Sequence, residues 1–414
     1  MKAEVITIGD ELLIGQTVDT NSAWIGGELS RVGFDITRKT SIHDKRDDIM
    51  NALEESMHRK PDIVIITGGL GPTSDDITKQ TLCDFFNTQL VLDHEVLEMI
   101  EDMMKRRGFP MNENNRRQAE VPESCRVLKN ETGSAPGMWF KKEGINFISL
   151  PGVPYEMRHI MNLHVLPELN KQYVSQTVIH RNIMTYGEPE ARLAEILSGF
   201  EASLPPNIKL AYLPSYGIIK LRLTGIGQDR NSLEKLIEDQ VSKLYEIIPL
   251  LIYGENEDSL ETVVGNLLKD KGLTISTAES CTGGKIAHML TSIPGSSLYY
   301  RGSVIAYDNR VKIDLLGVPA IILEKYGAVS EEVIKMMAKG VRELIKTDFS
   351  VATSGIAGPD GGTASKPVGT LWIAVSSAKG TIAEKYTYGS DRLININRFS
   401  ISALNLVRKQ IISR

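Results

Sequence analysis

With 414 residues, 42% of them hydrophobic and 24% charged, the chain is too long for one comfortable core and should divide into two or three domains. A formal net charge of −5 offers no basic field to neutralise a phosphate backbone, which argues against nucleic acid as a partner. Three scattered cysteines without a CxxC pair, Cys83, Cys125 and Cys281, point to a reducing compartment rather than a disulfide frame or a zinc site.

Lys2 and Glu4 interrupt any secretion-signal core. No apolar run approaches the roughly 20 residues that cross a bilayer, so a soluble cytoplasmic protein without a membrane partner is expected. Short β-branched runs at 5–8, 34–37 and 63–67 read as buried strands, and apolar residues at helical spacing mark helices over 21–29 and 48–57. Thr20 or Asn21 would cap the first helix. Strand–helix–strand alternation implies a parallel sheet with helices on its faces, a three-layer α/β/α domain. A strand at 146–150 runs into Pro151-Gly152-Val153-Pro154, and this first domain is taken as 1–172.

Residues 173–254 read as a small α+β unit, with strands at 178–186, 208–213 and 218–223 and helices at 190–197 and 233–245. Gly254-Glu255-Asn256-Glu257-Asp258 is a polar break that reads as a hinge. Over 258–414 the α/β alternation resumes. Strands are expected at 273–277, 299–307, 349–354, 369–377 and 381–388, and helices at 259–270, from near 284, at 330–346 and at 391–412.

The strand at 273–277 delivers Ala278-Glu279-Ser280-Cys281-Thr282-Gly283-Gly284 into a helix. A serine on such a turn sits at the carboxyl edge of the sheet, where open α/β folds form their clefts, and free N–H groups there can meet an oxyanion. A plain capped helix start reads equally well from this segment alone. The motif is neither GxSxG nor GxxxxGK. Ser280 needs a base. Lys312, after Tyr307-Asp308-Asn309-Arg310-Val311, reaches the same edge if its strand neighbours 273–277, and a desolvated lysine can accept a proton. The bland alternative is a solvated helix lysine. Cys281 is the rival nucleophile. A third glycine-rich segment, Ser354-Gly355-Ile356-Ala357-Gly358-Pro359-Asp360-Gly361-Gly362, suits backbone contact with a ligand.

In the first domain, the strand at 63–67 ends in Gly68-Gly69-Leu70-Gly71-Pro72-Thr73-Ser74-Asp75-Asp76. The glycines admit a pyrophosphate, Thr73 and Ser74 can cap the following helix, and Asp75 and Asp76 suggest an intervening hard cation such as Mg²⁺. Acids in a first helical turn also simply favour the dipole. Similar turns recur at Gly9-Asp10-Glu11-Leu12, Asp19-Thr20-Asn21, Gly133-Ser134-Ala135-Pro136-Gly137 and Leu150-Pro151-Gly152-Val153-Pro154-Tyr155-Glu156-Met157.

Residues 277–284, 307–312 and 354–362, followed by Lys366-Pro367-Val368-Gly369-Thr370, resemble the C-terminal domain of the CinA (competence/damage-inducible) family. The glycine-rich and acidic turns of the first domain resemble that family's N-terminal molybdopterin-binding fold, so the resemblance covers essentially the whole chain. It implies a nicotinamide mononucleotide deamidase that needs no cofactor, with Ser280 as nucleophile activated by Lys312 and Tyr307. Thr282, Gly283, Gly284, Ser354, Gly355, Ala357, Gly358 and Arg392 would contact substrate. The family's Gly-Asp-Arg appears here as Gly389-Ser390-Asp391-Arg392, with Arg398 next, which puts the phosphate role of Arg392 in question.

For the first domain the resemblance implies hydrolysis of ADP-ribose to AMP and ribose 5-phosphate with Mg²⁺, Mn²⁺ or Co²⁺. Asp75, Asp76 and Asp10 would hold the metal, and Asn21, Gly68, Gly69, Gly71, Thr73, Gly137 and Glu156 the substrate. The middle unit corresponds to a KH-like module without a GXXG, and a homodimer is expected. Two other readings stay open: a molybdenum-cofactor biosynthesis protein that binds molybdopterin, and a non-catalytic partner in competence or recombination.

Overall fold

The structure, a computed structural model, describes residues 1–73, 76–173, 177–215 and 217–413. By compactness the chain divides into two units, residues 1–179 with 225–234, and residues 180–224 with 235–414.

In the first unit, β1 (Lys2–Ile8), α1 (Thr20–Arg31), β2 (Asp35–Ile42), α2 (Arg46–Arg59), β3 (Ile63–Thr67) and α3 (Thr78–Phe86) alternate as expected. They are followed by β4 (Arg126–Leu128), β5 (Gly137–Lys142), β6 (Ile145–Leu150) and α4 (Pro154–Ile160). The strands form one six-stranded sheet in the order β2-β1-β3-β6-β5-β4. Its first four strands are parallel, β5 runs antiparallel to β6, and β4 runs antiparallel to β5. Period-2 alternation splits its side chains between two cores. Val5, Ile63 and Ile65 pack against Ile25, Leu29, Met157 and Ile160 on one face. Ile6, Val64 and Ile66 pack against Ile49, Leu53, Leu82 and Phe85 on the other. Both faces are therefore covered, as a parallel sheet requires. The cap of α1 differs from expectation: Asp19, not Thr20 or Asn21, accepts from Ser22 N at 2.9 Å, which leaves the Asn21 side chain free to turn elsewhere.

The four-stranded middle sheet runs β8 (Ile208–Ser215), β9 (Ile218–Gly227), β7 (Thr177–Tyr186), β10 (Ile252–Glu255), with helices α5 (Glu190–Ala202) and α6 (Arg230–Ile247). The polar break near 254 is not a hinge. Gly254 and Glu255 pair with Met184 and Ile183, and Asp258 accepts from Glu255 N at 3.0 Å. β10 has an aromatic and an aliphatic residue to bury, and that burial outweighs the polar composition around it.

The C-terminal region comprises α7 (Leu260–Asp270), β11 (Ile275–Glu279), α8 (Lys285–Thr291), β12 (Tyr300–Ile305), α9 (Asn309–Asp314), α10 (Glu331–Ile345), β13 (Phe349–Gly355), β14 (Thr370–Ser377), β15 (Gly380–Thr387) and α11 (Arg392–Ile412). Its sheet order is β12-β11-β13-β14-β15, with the first three strands parallel. No described helix is long and apolar enough to cross a membrane.

Met184, Tyr186 and Tyr253 belong to the same buried cluster as Leu260, Ile275 and Phe399, so the middle sheet and the C-terminal sheet share a core. The Tyr186 hydroxyl lies 2.6 Å from Ser402 Oγ. Arg408, 4% exposed, donates to Ile252 O and Leu250 O, each at 2.9 Å. Truncating this arginine strands the buried Ile252 carbonyl and frees the part-buried carbonyl of Leu250. Arg408→Leu is expected to lower the unfolding free energy by about 3 kcal/mol, read from urea denaturation, whereas a hinge between independent modules would leave it within error.

Candidate functional site

β11 is buried along its whole length and lies between parallel neighbours, with Glu279 in register with Ile305 of β12 and Thr353 of β13. All three strands therefore release their following segments at one sheet edge. Ser280 N donates to Thr353 O at 3.0 Å, and Ala306 N donates to Glu279 O at 2.8 Å. Between Ser280 and α8 the chain turns through two left-handed residues, Gly283 (φ 59°) and Gly284 (φ 98°), which only glycine adopts in succession without strain.

Lys312 is 1% exposed. Its ammonium donates to Ala306 O at 2.8 Å and Tyr307 O at 3.2 Å. Burial pulls its pKa below the ordinary lysine value, while Asp308 and Cys281 push the other way. The solvated-lysine alternative therefore does not hold. A neutral amine carries two hydrogens, and with both directed at carbonyls its lone pair is left to accept a proton. Cys281 is buried, and that burial pushes its thiol up to about 12 despite Lys312 and Arg392 nearby, so it is held as a thiol.

Tyr307, 64% exposed, accepts from Arg392 at 3.1 Å through its hydroxyl, and Arg392 also donates to Gly358 O at 2.8 Å. The structure thus joins the tyrosine hydroxyl to the arginine. Lys312 meets that tyrosine at its backbone carbonyl. Gly355 sits against Cys281, where an added Cβ would lie 3.3 Å from Sγ, and Ala357 O accepts from Asn395 Nδ2 at 2.9 Å.

Three expected contacts are already engaged within the chain. The Gly284 amide is not open to a ligand, because it donates to the Glu279 carboxylate at 3.0 Å. The Ser354 hydroxyl, 1% exposed, is engaged with Ala328 O at 2.8 Å. Gly283 N closes the turn onto Ser280 O at 3.2 Å. Neither the Cys281 nor the Thr282 amide has a backbone-carbonyl partner among the described residues.

In the first unit, Asn21 Nδ2 donates to Gly152 O at 2.7 Å and to Thr67 Oγ1 at 3.3 Å. Its Oδ1 is buried without a partner among the described residues. Asn21 lines a cleft of about 110 Å³ at the carboxyl edge of β1 and β3, with Thr7, Glu11, Asp19, Thr67 and Gly152. Gly68 (φ 119°) passes so close to Ile8 that a Cβ would lie 2.1 Å from its carbonyl oxygen. Gly69 is equally close to Thr78 Oγ1.

Asp75 and Ser74 lie outside the described residues. Asp76 accepts from Gly71 N at 2.8 Å, from Thr73 N at 3.0 Å and from the Thr73 hydroxyl, so Thr73 ties the loop together instead of capping α3. Asp10 pairs with His43 Nδ1 at 2.7 Å, which holds its carboxyl below the usual range. Glu156, 8% exposed, accepts from Asn130 Nδ2 at 2.7 Å. Gly137 lies within β5, where a Cβ would meet Leu128, Ile160 and Leu150. That is a packing position, not a ligand wall. No three His, Cys, Asp or Glu side chains among the described residues converge as a metal cage. Asp10 and Asp76 as placed therefore do not fit a metal site by themselves, and no step is assigned to a metal.

Residues 257–411 match the family described as "CinA C-terminal domain", residues 4–171 "Probable molybdopterin binding domain" and residues 180–254 "Damage-inducible protein CinA KH domain". A CinA-like protein of Cytophaga hutchinsonii is 50% identical over 409 residues, covering 99% of this chain and 98% of its own length. The chain belongs to the CinA family. A second CinA-like protein, from Flavobacterium psychrophilum, is 46% identical over 417 residues and covers 100% of this chain and 99% of its own. A crystal structure of competence/damage inducible protein CihA from Agrobacterium tumefaciens, 38% identical, covers 36% of this chain and 92% of its own at a TM-score of 0.35.

The molecule is thus a mixed α/β CinA protein with an N-terminal molybdopterin-binding-like domain, a small KH-like middle domain and a C-terminal CinA domain. Two residues at the C-terminal CinA site have no assigned role in the sequence reading. Glu279 stands in the Ala278–Gly284 segment but looks like one more strand residue. Asn395, wholly buried, is hidden inside a helix and shows its purpose only through its hydrogen bonds to Ala357 O and Gly389 O.

Proposed function

We propose that the C-terminal CinA domain hydrolyses the carboxamide of nicotinamide mononucleotide to nicotinate mononucleotide and ammonia. The observation that carries the reading is a buried lysine at the sheet edge that also presents Ser280. Neutral Lys312 takes the Ser280 hydroxyl proton as Oγ bonds to the carboxamide carbon. The Cys281 and Thr282 amides meet the oxyanion, since the Gly284 amide is occupied. The proton passes to the departing nitrogen, the C–N bond breaks, and ammonia leaves. Water then adds to the acyl-enzyme, returning the proton and the free serine. Arg392, fixed between Gly358 and Tyr307, supports a phosphate-facing role, with Tyr307 beside it on the substrate.

A second reading rests on the first-domain cleft. We propose that it takes ADP-ribose for hydrolysis to AMP and ribose 5-phosphate, with a divalent cation (Mg²⁺, Mn²⁺ or Co²⁺) required on the family resemblance alone. The Asn21 orientation, fixed by two donated hydrogen bonds, presents an acceptor that a ribose hydroxyl can satisfy. Asn21→Leu is expected to raise KM for ADP-ribose about tenfold, near the ~1.4 kcal/mol of one hydrogen bond, with kcat within about twofold. An unchanged KM removes Asn21 from the site.

Purified protein assayed on each substrate with and without EDTA tests the whole assignment. Ammonia release indifferent to EDTA, with ADP-ribose cleavage abolished by it, is the expected result. Turnover of neither substrate with molybdopterin bound instead would favour cofactor biosynthesis, and an inert protein that binds a recombination protein would favour the competence role. A cytoplasmic homodimer belongs to the same proposal, with sedimentation as its check.

A further inference from the structure

Glu279 is wholly buried, and no lysine, arginine or histidine pairs with it among the described residues. Its carboxylate instead accepts from Thr282 Oγ1 at 2.7 Å, Gly284 N at 3.0 Å, Ile286 N at 3.0 Å and Ala287 N at 2.8 Å, with Thr277 Oγ1 at 3.4 Å. A bare carboxylate in such a place is tolerated only because charge-assisted hydrogen bonds replace its water.

An ordinary helix cap would come from the residue just before α8. That residue is Gly284, which has no side chain to offer. The cap arrives from the last residue of β11, five positions earlier, across the whole Ser280 turn. The backbone of Glu279 is pinned in the sheet by Ala306 N, while its side chain grips the far end of the turn. Thr282 Oγ1, 2.8 Å from Thr353 Oγ1, ties the middle of the turn to β13. Ser280 is thus held in a loop closed at both ends on one residue.

We infer that Glu279 is the positioning residue of the nucleophile. It fixes the Ser280 turn, and by occupying the first amides of α8 it restricts the oxyanion contact to the Cys281 and Thr282 amides. This rests on the reading of Ser280 as nucleophile. It extends that reading, because it makes the geometry of attack depend on a carboxylate that touches no substrate. An amide in its place keeps the size but turns two N–H hydrogens toward the α8 amides, so the turn loosens while the sheet remains.

The test is Glu279→Gln, with Glu279→Asp beside it in case the first fails to fold, and thermal unfolding to verify the fold of each. The expected result is a kcat on nicotinamide mononucleotide lowered about 100-fold, the effect of a misplaced reacting group, with KM within about threefold. In parallel, labelling of Ser280 by phenylmethanesulfonyl fluoride, followed by intact mass, should slow about tenfold. A folded variant with unchanged kcat and unchanged labelling overturns the inference, as does a rise in KM alone. Wild type that is inert on the nucleotide but loses Ser280 labelling on Glu279→Gln keeps the inference and rejects the substrate. Wild type that is never labelled at Ser280 rejects both.

Discussion

Ser280→Ala is expected to lower ammonia release from nicotinamide mononucleotide by at least about 10⁴-fold, since only substrate binding and oxyanion contacts remain when a serine hydrolase loses its nucleophile. That loss corresponds to about 5.5 kcal/mol of transition-state stabilisation. Cys281→Ala is the companion measurement, and its rate should stay within about threefold of wild type. With its thiol pushed up to about 12 by burial, only about one molecule in ten thousand carries a thiolate at pH 8. Cys281 Sγ also backs onto Gly355, so what the alanine loses is packing. Quenched-flow ammonia assays on both variants decide the matter. Retained activity in Ser280→Ala together with loss in Cys281→Ala would transfer the nucleophile to the thiol.

The sheets were legible because their signal is local. In β3 every residue is buried, and an unbroken β-branched run admits few readings. The strand-to-helix turn after Ser280 was legible for a related reason, since consecutive glycines favour left-handed backbone, but its use was not, because a capped helix start reads equally well there. The expected strand at 273–277 nevertheless lies two residues early, as β11 covers Ile275–Glu279. Register is set by the neighbours β12 and β13, and these are distant in sequence. The same shift concealed Glu279, which becomes a cap only when the strand is seen to end on it. The Asp76 carboxylate illustrates the opposite limit. An acid beside glycines suggests a ligand site, yet loop amides at 2.8 and 3.0 Å engage it first, because a local partner competes at no cost in chain closure. The union of the middle sheet with the C-terminal core was beyond sequence reading altogether. Tyr186 and Ser402 are 216 positions apart, and nothing in either segment names the other.

Lys312 yields the second large effect, and the choice of replacement separates its possible roles. Lys312→Met retains much of the buried stem but removes the amine, and is expected to cost about 10³-fold in kcat/KM, within the range of general-base catalysis. Lys312→Arg retains the positive charge but cannot give up its proton near neutrality, so it should be equally inactive. Recovery of activity by arginine would mean that the charge matters and the proton acceptance does not. The pH dependence follows from the direction of the shift. Burial places the folded pKa below the 10.5 of an ordinary lysine, so wild-type kcat/KM should rise with pH through that lowered value, and the limb should vanish in Lys312→Met. Stability carries the same sign. Between the folded pKa and 10.5 the unfolded chain binds the extra proton, so unfolding free energy increases with pH across that window. It reaches its full value above 10.5, and below the folded pKa the cost of burying the cation is constant. Urea titrations of wild type and Lys312→Met at several pH values should therefore run parallel below the folded pKa, and the wild-type curve should rise relative to the variant's through the window. Parallel curves throughout would mean that Lys312 titrates as a solvated side chain, and the serine would then lack its base.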